Sequence, residues 1–98
     1  MKPTETDMTS DKIKEVIGLY QKTLGDLQVP KTRAPLEAIA PEDKMGRLAH
    51  CHQMLEKVQE FLDQGRTDKA FRWLGFVQGV LWSNYIFTIE EMANHNRP

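Results

Sequence analysis

Ninety-eight residues suffice for one domain whose core must be limited. With 13 Lys and Arg against 14 Asp and Glu, the formal net charge is −1, which excludes a general pull towards nucleic acid or anionic lipid. A single cysteine, Cys51, excludes a disulfide framework; with no leader-like opening and no apolar run of membrane-spanning length, the expected setting is cytoplasmic.

Residues 1–9 are polar, contain Pro3 and show no periodicity, which predicts a loose N-terminal arm. From Ser10, Ile13, Val16, Ile17, Tyr20, Leu24 and Leu27 recur at three- and four-residue steps, one apolar stripe on a first helix. Ser10 or Thr9 can cap it, and Asp11 suits the positive end of the dipole. The segment 28–41 carries Pro30, Pro35 and Pro41 without a helical period and reads as a proline-rich, extended connector pinned to the core by Leu36 and Ile39. Pro41 fits the first turn of a second helix, with Glu42 and Asp43 as dipole partners. Along that helix Leu48, Cys51, Leu55, Val58 and Leu62 alternate steps of three and four, flanked by Met54 and Phe61, and Gly65 ends it.

Gly65-Arg66 is so short a link that the second and third helices must form an antiparallel hairpin, with Thr67 expected as the cap of the third. That helix should end near Ser83-Asn84. Next, Thr88 and Glu91 have capping-box spacing, while Phe87 and Met92 stand at hydrophobic-staple positions. A fourth helix of about two turns is therefore expected, running out into the polar tail NHNRP. The fold class is all-α: a small helical bundle in a single domain, 1–98, built on a central antiparallel hairpin.

The third helix carries the strongest functional signal. In RWLGFVQGVLW, residues 72–82, only Arg72 and Gln78 are strongly polar, so the helix is apolar nearly all round. Short neighbours must leave one side of it open, and an open patch holding Trp73, Phe76 or Trp82 exceeds what monomers usually expose. Gly75 and Gly79, four apart, share a face on which a second helix backbone could come close. The expectation is a homo-oligomer that self-associates through Trp73, Gly75, Phe76, Gly79 and Trp82; the competing reading is a monomer in which arm and connector sheathe the third helix.

These residues also carry a resemblance. Gly65-Arg66, Lys69-Ala70, Arg72 to Phe76, Gln78-Gly79, Leu81-Trp82, Thr88-Ile89 and His95 to Arg97 resemble the C-terminal pattern of a family of short accessory proteins encoded by tailed phages and prophages. The likeness covers about the last third of the chain. It implies a phage accessory protein, in the cytoplasm of the host, and it implies no chemistry.

Arg66, Lys69 and Arg72 cluster at the N-terminal end of the third helix, where the dipole is already positive and each added cation costs roughly 0.3–1 kcal/mol. Free backbone N–H groups and arginine forks suit phosphate, and Trp73 beside them could stack on a base. Two readings follow: an anion or nucleotide site made by Arg66, Lys69, Arg72 and Trp73 at a subunit boundary, or surface cations offset by Asp63 and Asp68 in pairs worth little.

Catalysis and metal binding find no support in the sequence. His50, Cys51 and His52 are consecutive, so on a helix they point about 100° apart and cannot converge on one ion. Only His52 with Glu56, or His95 with Cys51 across the fold, could pair. Ser83 and Cys51 are the sole nucleophiles in a plausible setting, neither in a known catalytic context, and no phosphate loop is present. Hence no enzyme, catalytic residue, metal or cofactor is expected. A DNA reader of helix-turn-helix type would need polar side chains on its second helix, and RWLGFVQGVLW lacks them, so nucleic acid is the weakest of the partner classes. Ranked by function, the expectation is a phage-encoded protein that binds a host factor, for host interaction or counter-defence. The first alternative is an oligomeric sponge for a small phosphorylated signal such as a cyclic nucleotide, and the second is a DNA-binding regulator.

Overall fold

The apolar stripes become helices where their spacing places them. In the computed structural model, which describes residues 8–97, α1 spans Ser10–Asp26, α2 Lys44–Asp63, α3 Thr67–Ser83 and α4 Ile89–Asn96. Among the described residues there is no strand. Helices α2 and α3 form the predicted hairpin, α1 packs on both, and α4 lies against α1. One core unites them: Ile13, Val16, Tyr20 and Leu24 from α1, Cys51, Leu55 and Val58 from α2, and Ala70, Leu74, Val77 and Leu81 from α3.

Three of the helices stop in the same way. At the end of α2, Gly65 has φ +75, its N–H donates to Leu62 O at 2.9 Å, and Arg66 N–H donates to Phe61 O at 2.8 Å. This double closure is a Schellman motif, which uses a left-handed residue to satisfy the last carbonyls. Helix α1 ends identically with Gln28 (φ 60) and the bond from Val29 N–H to Leu24 O, and α3 with Tyr85 (φ 62) and the bond from Ile86 N–H to Leu81 O. Glycine marks only one of the three. Composition therefore misplaces one end: Leu27, expected on the buried stripe, is the C-cap residue of α1 and half exposed.

The helix starts differ from expectation in two places. Pro41 and Glu42 lie in a turn, and α2 begins at Lys44 with Asp43 as its cap. The Asp43 carboxylate accepts from Gly46 N–H at 2.8 Å and lies so close that a Cβ on Gly46 would collide with it, which is why the helix starts there. Thr67 is the first residue of α3 and Arg66 holds the cap position without a side-chain bond, because a guanidinium has no acceptor to offer the free N–H groups of the first turn. At α1 the cap is Thr9, its hydroxyl accepting from Lys12 N–H at 3.1 Å. The expected arm therefore stops short of Thr9, and Met8 packs against the core; residues 1–7 lie outside the described residues.

The connector is extended apart from one 3₁₀ turn, Leu36–Ala38. Leu36 is half exposed and does not pin it, whereas Ile39 is partly buried. The fastening lies further upstream. Val29 is buried, the buried His52 donates from Nδ1 to Val29 O at 2.8 Å, Thr32 N–H donates to Ala49 O at 3.3 Å, and Lys31 pairs with Glu56 at 2.6 Å. At the opposite end of the hairpin Arg47 bonds Pro41 O and, at 3.0 Å, Asn84 Oδ1, tying the start of α2 to the end of α3.

Candidate functional site

Helix α3 is two-faced. Ala70, Leu74, Val77 and Leu81 point inward and are each fully covered. The outward face keeps Phe71 at 44%, Phe76 at 47% and Trp82 at 50% exposure. By helical geometry Gly75 and Gly79 run down the middle of that face, with Phe71 and Trp82 on one flank and Phe76 on the other. A Cβ built on either glycine meets nothing within 4 Å. Connector and the described part of the N-terminal segment do not sheathe this side, so among the described residues it stays open.

Trp73 does not belong to that face. It stands nine positions before Trp82, about two and a half turns, and so points to the opposite side of the helix. There it is partly buried, edge-on to Phe61 with ring centroids 4.9 Å apart. Of the five residues grouped for self-association, Gly75, Phe76, Gly79 and Trp82 remain together on the outward face and Trp73 leaves them.

The basic cluster does assemble. Arg66, Lys69 and Arg72 line a shallow depression of about 350 Å³ with Thr67 and Asp68. Asp63 and Asp68 do not neutralise them: among the described residues no ion pair includes any of the three cations, and Asp63 accepts instead from Gln59 at 3.0 Å. Two of the cations rest on one ring, with the Arg66 guanidinium 5.3 Å and the Lys69 ammonium 4.7 Å from the Phe61 centroid. Cations over an aromatic face gain about 0.5–1 kcal/mol at exposed sites, which offsets their unfavourable place on the dipole.

Arg72 also borders a second, larger groove of about 900 Å³ between the connector and the α2–α3 hairpin. Trp73, Phe76, His50 and Arg33 line it too. The His50 Nδ1 atom is buried without a hydrogen-bond partner, a polar atom left unsatisfied beside this groove. Nothing in the sequence marks Arg33 or His50 for this groove, because only the fold of the connector over α2 brings them beside Arg72 and Trp73.

The remaining polar residues have structural work. Burial pushes the Cys51 thiol up to about 12, so it stays protonated and inert as a nucleophile. Ser83 donates to Val80 O at 3.0 Å and has no base beside it. His52 is fixed on Val29 rather than turned to Glu56, and His95 bonds Tyr20 rather than facing Cys51. Among the described residues no three His, Cys, Asp or Glu side chains are grouped to hold a metal ion, and no helix is long and apolar enough to cross a membrane. The chain matches no family model, no curated protein and no solved structure.

Proposed function

We propose that this chain is a self-associating accessory protein of a tailed phage that binds a host factor in the host cytoplasm. The observation that carries the reading is the outward face of α3, where a glycine-floored strip stands between half-exposed aromatic side chains with none of the described residues over it. Apolar area of that kind is the usual mark of an interface, and a second copy of the same helix offers matching shape at a two-fold contact. Once α3 is covered, the polar outer faces of α1 and α2 are the surfaces left for a host protein. The resemblance of the C-terminal pattern to that of phage accessory proteins supports the origin.

The glycines give the reading a test with opposite signs. In a lone chain, Gly75→Ala and Gly79→Ala replace a poor helix former in open space and should each stabilise α3 by roughly 0.8–1 kcal/mol. In an assembly whose helices meet there, the added methyl groups hold the backbones apart. The expected outcome is a wild-type molar mass by light scattering that is a multiple of one chain, reduced in the double variant. A single-chain mass at high concentration, with both alanines simply raising the melting temperature, removes the proposal. Capture from host lysate tests the second half, and recovery of the protein alone counts against a host target.

A second reading rests on the basic cluster. Among the described residues Arg66, Lys69 and Arg72 have no carboxylate partner, and Arg72 with Trp73 edges the larger groove, a combination suited to a small phosphorylated ligand such as a cyclic nucleotide. Calorimetry against a nucleotide panel, repeated with R66E and R72E, checks it. Absence of heat with every nucleotide would dismiss it in favour of the protein target.

A further inference from the structure

The short helix α4 is held by a polar cluster that neither the association face nor the basic depression uses. Tyr20, fully buried on α1, has its hydroxyl 3.0 Å from Gln78 Nε2 on α3 and 2.9 Å from His95 Nδ1 on α4. Gln78 Nε2 donates its second hydrogen to Asn96 Oδ1 at 2.7 Å, and Asn96 Nδ2 returns a bond to Gln78 Oε1 at 3.2 Å. Every donor and acceptor in the chain is matched when the Gln78 amide donates both hydrogens, the Tyr20 oxygen accepts one of them, and the hydroxyl hydrogen points at His95 Nδ1. That arrangement takes a neutral His95 with its proton on Nε2. Phe87 closes the cluster, its ring 5.3 Å from Tyr20 and 4.7 Å from His95 between centroids.

We propose that α4 is a proton-operated latch, in which neutral His95 holds the helix against Tyr20 and Gln78 and the imidazolium form releases it. An imidazolium at this position points N–H at a hydroxyl that is itself donating. Relief requires the Tyr20 hydroxyl to turn away from His95, which leaves its hydrogen without a partner in the cluster, and it brings a charge into a partly buried site. Little else retains the helix: Met92 is its one buried side chain. The charged groups that face His95 do not rescue the cation. Burial is the largest influence and lowers the imidazole below its ordinary value of 6.5, Lys12 on α1 lowers it further, and Glu91 on α4 alone raises it. Glu91 is occupied as the reciprocal half of the capping box with Thr88. Gln78 and Phe87, from the other packed segments, carry no charge.

The sign follows from linkage. A depressed imidazole contributes docking strength in full above the undocked value and loses it as the pH falls below that value towards the docked one. Each pH unit between the docked and free imidazole weakens docking about tenfold. The proposal stands whether or not α3 meets a second copy.

Hydrogen exchange of the whole chain from pH 7.5 to 5, corrected for intrinsic rates, reads the latch directly. Backbone amides of 89–96 should lose protection over this range while those around Leu55 and Val58 in α2 keep theirs. His95→Gln keeps a side chain that can bond Tyr20 but cannot take up a proton, so in this variant the pH dependence should vanish. Unchanged protection of α4 across the range, parallel loss in α2, or the same pH dependence in the variant each overturn the proposal. Should the variant fail to dock α4, the His95 imidazole is titrated by NMR in the wild type: a value below the ordinary one supports the latch, and an ordinary value sinks it.

Discussion

Tyr85 condenses the tension between local conformation and surface. It holds the left-handed position that closes α3, where an L side chain costs about 1–2 kcal/mol relative to a right-handed backbone, and its ring is 92% exposed. Nothing in the packing of the described residues explains a tyrosine there. Tyr85→Gly should therefore stabilise the fold by about 0.5–1 kcal/mol, since relief of the backbone exceeds the extra freedom that glycine gains when unfolded. For a chain of this size that is a rise of a few degrees in melting temperature, measurable by calorimetry. Asn84 beside it is the opposite case, a buried polar side chain with every group engaged: it donates to Val80 O at 2.8 Å and accepts from Arg47. Neither residue stands out in the sequence, because a left-handed tyrosine looks like any aromatic in a turn and a buried asparagine looks like a helix stop.

Among the elements, α3 decides most. Its inner row, Ala70, Leu74, Val77 and Leu81, is the centre of the core, and its outer row is what the rest of the bundle cannot reach. Truncation should separate the two. Leu74→Ala leaves a cavity among fully buried neighbours and should cost roughly 2–5 kcal/mol in urea unfolding, whereas Phe71→Ala on the outer row should leave single-chain stability within about 0.5 kcal/mol. A small effect at Leu74 would mean that the core is looser than its burial indicates. The hairpin, the capping box of α4 and the spacing along α2 were all legible in the sequence, since each depends on residues three or four apart. The start of α2 was not. Pro41 is a good first-turn residue in general, but Asp43 and Gly46 make a closer-fitting cap, and which of two adequate starts prevails depends on the approach of the connector.

Over the whole molecule, the described bundle covers the inner row of α3 and leaves the outer row open. If a second copy supplies that cover, stability is linked to association by mass action. The melting temperature should then rise with protein concentration, and the rise should disappear in the Gly75→Ala, Gly79→Ala double variant; a concentration-independent value would place the exposed aromatics on the surface of a stable single chain. The basic depression belongs to this scale too. Its three cations are close in sequence, so their grouping could be foreseen, but their partners could not: Asp63 and Asp68 were the nearest acids along the chain, and the Phe61 ring took their place.

What the sequence determined by itself was the all-α class, the position of each helix within a few residues and the surplus of apolar surface on α3, because periodicity and capping act over one or two turns. Tertiary structure alone decided the rest. It turned Trp73 inward on Phe61 and left Trp82 outside, carried the connector over α2 to make a groove with His50 and Arg33, and brought Tyr20, Gln78 and His95 to one point. Those outcomes depend on which faces of separate helices meet, and a pattern that repeats every few residues carries no information about that.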